Sequence, residues 1–401
     1  MDNKDDVKDD VKDDVKDDVK SQIIENWDEL NIKQELLRGI YSYGFEKPSE
    51  IQKRSIPEII IGHDIIAQAQ SGMGKTGAFS IGTLELIDCT KPKLQALLLA
   101  PTHELVKQTL QVIKSLGSMM PQLVVKHLIG GSSIQEDAED IRKNCPHIIV
   151  GCAGRVYDMF RRKYISAKDI KIMVLDEADE MLSSGFKEQI YNIFQFMNEN
   201  IQVALFSATL PQDIMDLTSK FMRNPVKITM EVEKLNLECI KQYFIAMQND
   251  SDKYDTLKDL FSVISLSQCI IYCNSVKRVS ELHKAMIEEG FSVCCIHSSM
   301  DKMERDREFH NFRSGSYRVL ISSNVTARGI DIQQDGTVIN FDITKDPHTY
   351  LHRIGRSGRW GRKGMAINFV TKFDVPIMKK IEAYYNISME ELPASFSGSI
   401  C

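Results

Sequence analysis

Short runs rich in Val, Ile and Leu recur along this chain, and most are followed by a stretch with the period of an amphipathic helix. They fall near 64–68, 95–100, 123–129, 147–151, 171–176 and 202–207, then again near 240–247, 269–273, 292–297, 317–323, 338–342 and 365–370. Continuous apolar runs suit strands buried on both faces, and parallel strands need a crossover between them, so the pattern predicts an α/β fold built on parallel sheets. A length of 401 residues exceeds what one core supports. The two sets of runs therefore predict two doubly wound domains, at 21–229 and 240–401. The linker at 230–239 carries the polar stretch Glu231 to Glu238, which has no clear period. Ligands of such sheets gather beyond the carboxyl ends of the strands, and chemistry is expected there.

Residues 5–20 are four copies of Asp-Asp-Val-Lys, with too little apolar surface to pack, so residues 1–20 are predicted to be a disordered acidic tail. That tail holds nine Asp and five Lys and carries -4 of the net charge of -6. The rest of the chain is nearly neutral, and its total charge does not argue against a nucleic-acid partner. No apolar run approaches the roughly 20 residues of a membrane span, and the N-terminus has no apolar stretch of the signal-peptide kind. The expectation is an intracellular protein that does not enter membranes, cytoplasmic rather than nuclear. None of the nine cysteines forms a Cys-x-x-Cys pair, and Cys269, Cys273, Cys294 and Cys295 lie within strand-like runs, which predicts buried thiols and not zinc ligands.

The run Asp64 to Ala67 leads into Gln68, Ala69, Gln70, Ser71, Gly72, Met73, Gly74, Lys75, Thr76 and then an apolar helical stretch. Strand, glycine loop, Lys-Thr and helix is the setting of a P-loop. Gly72 and Gly74 turn backbone N–H groups toward phosphate, Lys75 reaches the outer phosphates, and the Thr76 hydroxyl can ligate Mg²⁺. A hundred residues on, Ile172 to Leu175 ends in Asp176, Glu177, Ala178, Asp179. Beside a P-loop these carboxylates assign Asp176 to the metal and Glu177 to orienting the attacking water or taking its proton. A nucleotide kinase or a transporter ATPase would have the same two features.

The second half carries Arg353, Arg356, Arg359 and Arg362 at three-residue intervals, interrupted by glycines that argue against a plain amphipathic helix. An arginine presented from an opposing domain stabilises the transferring phosphoryl group by a factor of about 10³ to 10⁵. Arg356 and Arg359 are the candidates, and domain closure would then gate hydrolysis.

With these motifs in this order, the chain from about Trp27 onward resembles the DEAD-box RNA helicases, with Asp176 to Asp179 as the eponymous residues, and within them the translation initiation factor 4A group. The resemblance implies two tandem RecA-like domains and an ATP-dependent RNA helicase. Gly39 to Gln52 resembles the family's adenine-reading motif, which gives Phe45 and Gln52 to the base, with Trp27 as the upstream aromatic. Ser207 and Thr209, which would otherwise read as a helix cap before Pro211, become the pair that couples hydrolysis to unwinding. Gly329 and Asp331 fall at the ribose. RNA is implied to run across both domains, held by its backbone at Pro101, Thr102, Glu104, Gly130, Gly131, Gly154 and Arg155, then at Asn274, Ser275, His297 and Ser323. A scaffold protein bridging the domains and a monomeric state are further implications.

Some positions depart from the family pattern. His103 stands for a usual Arg, Cys152 and Ala153 for a usual Thr-Pro, and Asn324 for a usual Asp. The nucleotide motifs are intact while the RNA motifs are altered, so weaker RNA affinity or unwinding is expected. Two activities are therefore carried forward: RNA-stimulated ATP hydrolysis coupled to local strand separation, and an ATP-gated RNA clamp with little unwinding. A DNA translocase fits the motif set less well.

Overall fold

In this computed structural model, the residues described are 24–70, 72–182, 186–210, 215–216, 218, 220–230, 240–263, 268–324, 337–355 and 364–393. The acidic repeat thus lies outside the described residues, as do Ser71, Gly329, Asp331, Arg356 and Arg359.

Two seven-stranded parallel sheets organise the described chain. The first has the order β3-β4-β2-β5-β6-β1-β7, from β1 (Ile65–Gln68), β2 (Ala96–Leu99), β3 (Val125–Leu128), β4 (Ile148–Gly151), β5 (Ile172–Leu175), β6 (Gln202–Ser207) and β7 (Val226–Thr229). Its helices are α1 (Gln34–Ser42), α2 (Glu50–Ile61), α3 (Lys75–Leu86), α4 (His103–Leu116), α5 (Ile134–Asn144), α6 (Ala153–Arg161), α7 (Ala178–Met181) and α8 (Lys187–Phe194). The second sheet has the order β10-β11-β9-β12-β13-β8-β14, from β8 (Ile240–Met247), β9 (Cys269–Tyr272), β10 (Val293–Ile296), β11 (Val319–Ser322), β12 (Thr337–Asn340), β13 (Gly364–Thr371) and β14 (Glu390–Glu391). Around it lie α9 (Asp252–Val263), α10 (Val276–Glu288), α11 (Lys302–Arg313), α12 (Pro347–Ile354) and α13 (Val375–Tyr385).

Period-two alternation divides each sheet between two apolar layers. Ile65, Leu98, Ile148, Val150, Val174 and Phe206 enter one core, while Ile66, Leu97, Leu99, Ile149, Leu175 and Leu205 enter the other. The second sheet repeats the division, with Ile270, Tyr272 and Leu320 on one side and Cys269, Ile271 and Ile321 on the other. Of the four thiols predicted to be buried, three are packed in these cores, while Cys295 is only half-buried. Cys269, Cys273 and Cys294 are buried, and burial alone pushes the Cys269 thiol far up, with Cys273 and Cys294 raised to about 12 chiefly by the same cause.

All the predicted strand runs form strands. Two edge strands beyond those runs complete the sheets, β7 directly after Pro225 and β14. A pair of glutamates has no strand propensity, and β14 exists because β8 offers an edge, with Glu390 opposite Tyr243 and Glu391 opposite Phe244.

Buried Asp64 fastens the first sheet. Its carboxylate accepts from Val203 N at 2.8 Å and Arg223 N at 2.7 Å, and its carbonyl accepts from Val226 N at 2.8 Å, so one residue ties β1 to β6 and to the entry of β7. Replacing Asp64 by Ala strands the buried Val203 N–H and the part-buried Arg223 N–H. A loss of about 2 to 3 kcal/mol is expected, read as a lower urea midpoint for the first domain.

Candidate functional site

The strand order β5-β6-β1 places three loops side by side at one edge of the first sheet: the glycine loop after β1, the acidic turn after β5 and Ser207 at the end of β6. A backbone bond from Ala69 N to Ser207 O at 3.0 Å joins the first to the third, and Asp176 N donates to Leu99 O at the end of β2 at 2.9 Å. The glycine loop turns as its residues allow, with Gly72 and Gly74 at φ 88° and 94°, in the left-handed region. A side chain at Gly74 would in addition collide with Ser49 Oγ, 2.6 Å from where its Cβ would stand. Helix α3 starts at Lys75 and aims its N–H groups into the loop, which suits an anion.

Lys75 and Glu177 are both buried, and their charged groups approach to 3.7 Å. Lys75 Nζ and Glu177 Oε2 have no hydrogen-bond partner among the described residues. Glu177 has φ 48°, uncommon for a residue with a side chain, and its N–H is held by Asp176 Oδ1 at 3.0 Å. Burial, reinforced by the neighbouring Glu177 carboxylate, lifts the Asp176 carboxyl well above the usual range, against the opposing pull of Lys75. Two carboxylates crowded against one ammonium make a site that favours added positive charge. Buried Asp176 and half-buried Thr76 therefore fit a divalent cation, and the orphaned ammonium fits a phosphate.

Sequence reasoning missed the role of Asp179. Its N–H donates to Ser207 Oγ at 3.2 Å, Ser207 Oγ donates to Thr209 O at 2.7 Å, and Thr209 Oγ1 donates to Asp179 Oδ2 at 2.8 Å. That same oxygen lies 3.1 Å from Nε2 of His352, on α12 of the second domain. Ser207 and Thr209 are thus joined to the other domain through a single carboxylate. Glu177, Asp179 and His352 form the one close group of His, Cys, Asp or Glu side chains among the described residues, and no cysteine enters it.

Gln52 sits against Gly74 of the glycine loop and Phe45 against Gly77 in the first turn of α3, and Gln52 is already engaged. Its Oε1 accepts from Ser49 N at 2.8 Å, closing a capping box at the start of α2, and its Nε2 donates to Gly74 O at 3.2 Å. The sequence signal was present, as Ser49 followed at the third position by Gln52. Trp27 is fully buried, donates from Nε1 to Phe45 O at 3.0 Å and stacks on the Phe45 ring at 6.2 Å, so it positions that ring.

The candidate RNA residues line the carboxyl ends of both sheets, but several are engaged within the protein. Pro101 is buried, Thr102 caps α4 by accepting from Leu105 N, and Ser275 caps α10 by accepting from Arg278 N. Gly131 takes a left-handed turn, and Gly130 faces the His103 ring, 3.5 Å from where a Cβ would stand. Gly154 lies in the first turn of α6, and the neighbouring Arg155 is paired with Asp137 and donates to Ser132 O at 2.8 Å. Asn274 has both ends of its amide in use, accepting from Arg353 Nη2 at 2.8 Å and donating to Ile343 O at 2.9 Å. His297 Nε2 lies 3.5 Å from Ser280 Oγ, and Ser323 is buried. Glu104 pairs across the domains with Arg305 at 3.4 Å, and Lys107, one turn further along α4, pairs with Asp306, the next residue of α11.

Residues 49–217 match the family described as DEAD/DEAH box helicase, and residues 252–361 match the helicase conserved C-terminal domain. The chain is 48% identical over 379 residues to eukaryotic initiation factor 4A of Caenorhabditis elegans, covering 94% of each. It is equally close to the ATP-dependent RNA helicase eIF4A of Pyricularia oryzae, covering 94% of this chain and 95% of that one. Among solved structures, S. cerevisiae Dbp5 bound to RNA and ADP BeF3 superposes with a TM-score of 0.86 at 36% identity, covering 93% of this chain and 96% of Dbp5.

Proposed function

Since this chain belongs to the DEAD/DEAH box helicase family and is an ATP-hydrolysing RNA helicase, we propose that it burns ATP between its two sheets to hold, strain and release short RNA duplexes during translation initiation. The observation that carries this reading is Asp179, which joins Ser207 and Thr209 to His352 and so makes the state of the nucleotide loops felt by the other domain. Loop residues 69–76 cradle the phosphates, with Lys75 on the outermost. Glu177 orients the attacking water and accepts its proton. Asp176 and Thr76 would hold Mg²⁺, which supplies charge neutralisation for the phosphates. Phe45 packs on the adenine, and Gln52 retains one amide hydrogen to offer its edge. Arg356 and Arg359 as the charge-stabilising pair, and Gly329 and Asp331 at the ribose, rest on the family resemblance.

The proposed extents are 21–229 and 240–401, with 230–239 as the linker. No helix among the described residues is long and apolar enough to cross a membrane. A monomer working in the cytoplasm beside a scaffold that bridges the two domains fits the relatives' description as initiation factors.

One specific observation favours a second reading, the ATP-gated clamp. Arg155 and Glu104 already have partners in the closed arrangement, so RNA contact there requires exchange of ion pairs. ATPase rates with and without single-stranded RNA, run beside a short-duplex unwinding assay, separate the two. RNA stimulation together with strand separation is expected. Stimulation without separation would replace the helicase cycle by the clamp, and equal stimulation by DNA would argue for a translocase on either nucleic acid.

A further inference from the structure

Helices α6 and α8 leave an aromatic cluster at the surface of the first domain. Phe160 on α6 is buried, and Phe196, in the turn that closes α8, lies on it with ring centroids 5.3 Å apart and planes 14° from parallel. Tyr157 stands beside the Phe196 ring, 6.3 Å away and tilted by 52°. Phe196 nevertheless stays 42% exposed, so the side turned from Phe160 meets water. Single exposed apolar residues are ordinary on a protein surface, but a ring propped flat on a buried one presents a π face in a fixed place.

The end of α6 surrounds this cluster with cations. Asp158 Oδ1 is shared by Arg161 Nη2 at 2.7 Å and Arg162 Nε at 3.1 Å, and both arginines and Lys163 are exposed. Helix α8 and its exit add Lys187, Glu188 and Glu199, which leaves four cations to three carboxylates on the two elements. The cluster also continues from a candidate RNA contact. Gly154, Tyr157 and Arg161 follow one another at helical spacing and share one stripe of α6. A Cβ at Gly154 would stand 3.4 Å from Gln189 Oε1 of α8, while Phe160 and Phe196 meet further along, so the two helices run side by side from one feature to the other. Between Gly154 and Phe160 the helix rises about 9 Å, roughly the span of two or three stacked nucleotides.

We propose that Phe196, propped by Phe160, is a stacking ledge for an unpaired base of the RNA strand beyond the contact at Gly154. This rests on the RNA reading above and extends it to residues which that reading does not name. An unpaired nucleotide supplies both complements at once, a flat ring for the exposed side of Phe196 and a phosphate for the arginines, and stacking of this kind demands no particular sequence. Bases inside a duplex are stacked on one another and cannot use the ledge. It therefore favours the separated strand.

Phe196→Leu keeps an apolar cover on Phe160 but removes the ring, whereas Phe196→Trp enlarges it. Single-stranded oligoadenylates, lengthened one nucleotide at a time, are bound to the full chain with a non-hydrolysable ATP analogue. On long strands the Leu variant is expected to bind about tenfold more weakly than wild type, the scale of one lost base stack, and the Trp variant at least as tightly. The shortest strands that bind should not distinguish the three proteins. The salt dependence on long strands should be the same for all, because no phosphate contact has been removed. Equal affinities at every length would overturn the ledge and leave the patch to a protein partner. A loss of the same size on the shortest strands would overturn it too, as a disturbance of the track itself. Wild-type protein that binds no strand would sink the RNA reading and the ledge with it, whereas failure of the ledge alone leaves wild-type binding intact.

Discussion

Replacing Glu177 by Gln is expected to slow ATP turnover by about 10³-fold while leaving ATP and RNA bound. The amide keeps the size and the left-handed backbone position of the residue, but it can no longer take a proton from water. It also removes the negative charge that adds to burial in lifting Asp176, so the Asp176 carboxyl is raised less and remains available to a cation. The variant should therefore trap the nucleotide complex. Single-turnover hydrolysis, measured beside equilibrium binding of ATP and RNA, checks both halves. Turnover at the wild-type rate would remove Glu177 from its role, and loss of ATP binding would recast it as a structural partner of Lys75, from which it lies 3.7 Å away.

The largest stability effect is expected at Arg353. Substituting Met fills similar space but withdraws all five hydrogen bonds, leaving the side-chain oxygens of Asn274, Asn324 and Asn340 and the carbonyl of Asp342 without their donor. The cost should be about 3 to 5 kcal/mol, the range for removing one side of a buried charged network. It should appear as an earlier urea transition of the second domain, with the first domain unaffected. A second domain that unfolds at its original midpoint would show that Met packs as well as the network it replaces.

Arg353 shows what a linear reading does not resolve. Its three-residue spacing to Arg356 and Arg359 assigned it no role, yet it ends helix α12 (Pro347–Ile354) as a buried strut. Its acceptors come from the ends of β9, β11 and β12, so no local window contains the network, although an asparagine closing each strand was a visible hint. Strands were legible because burial on both faces demands continuous apolar runs. The phosphate loop was legible because strand, glycines and Lys-Thr are contiguous. Ion pairs such as Glu104 with Arg305 join residues far apart in sequence and depend on how the domains meet, which composition and period do not encode. Gln52 lies between these cases, since its capping box is local but its bond to Gly74 is not.

Asp179 Oδ2 receives Thr209 from one domain and His352 from the other. A hydrogen bond holds nearly full strength over a few tenths of an ångström and then fails within about one more. The connection between nucleotide and far domain is therefore stiff under a small pull and absent under a large one. Work extracted from each ATP would be delivered as a single abrupt stroke, with little of the graded recoil of a spring. A load on the RNA that parts this contact, together with the Glu104–Arg305 and Lys107–Asp306 pairs that also join the domains, would disengage the motor before it could stall it.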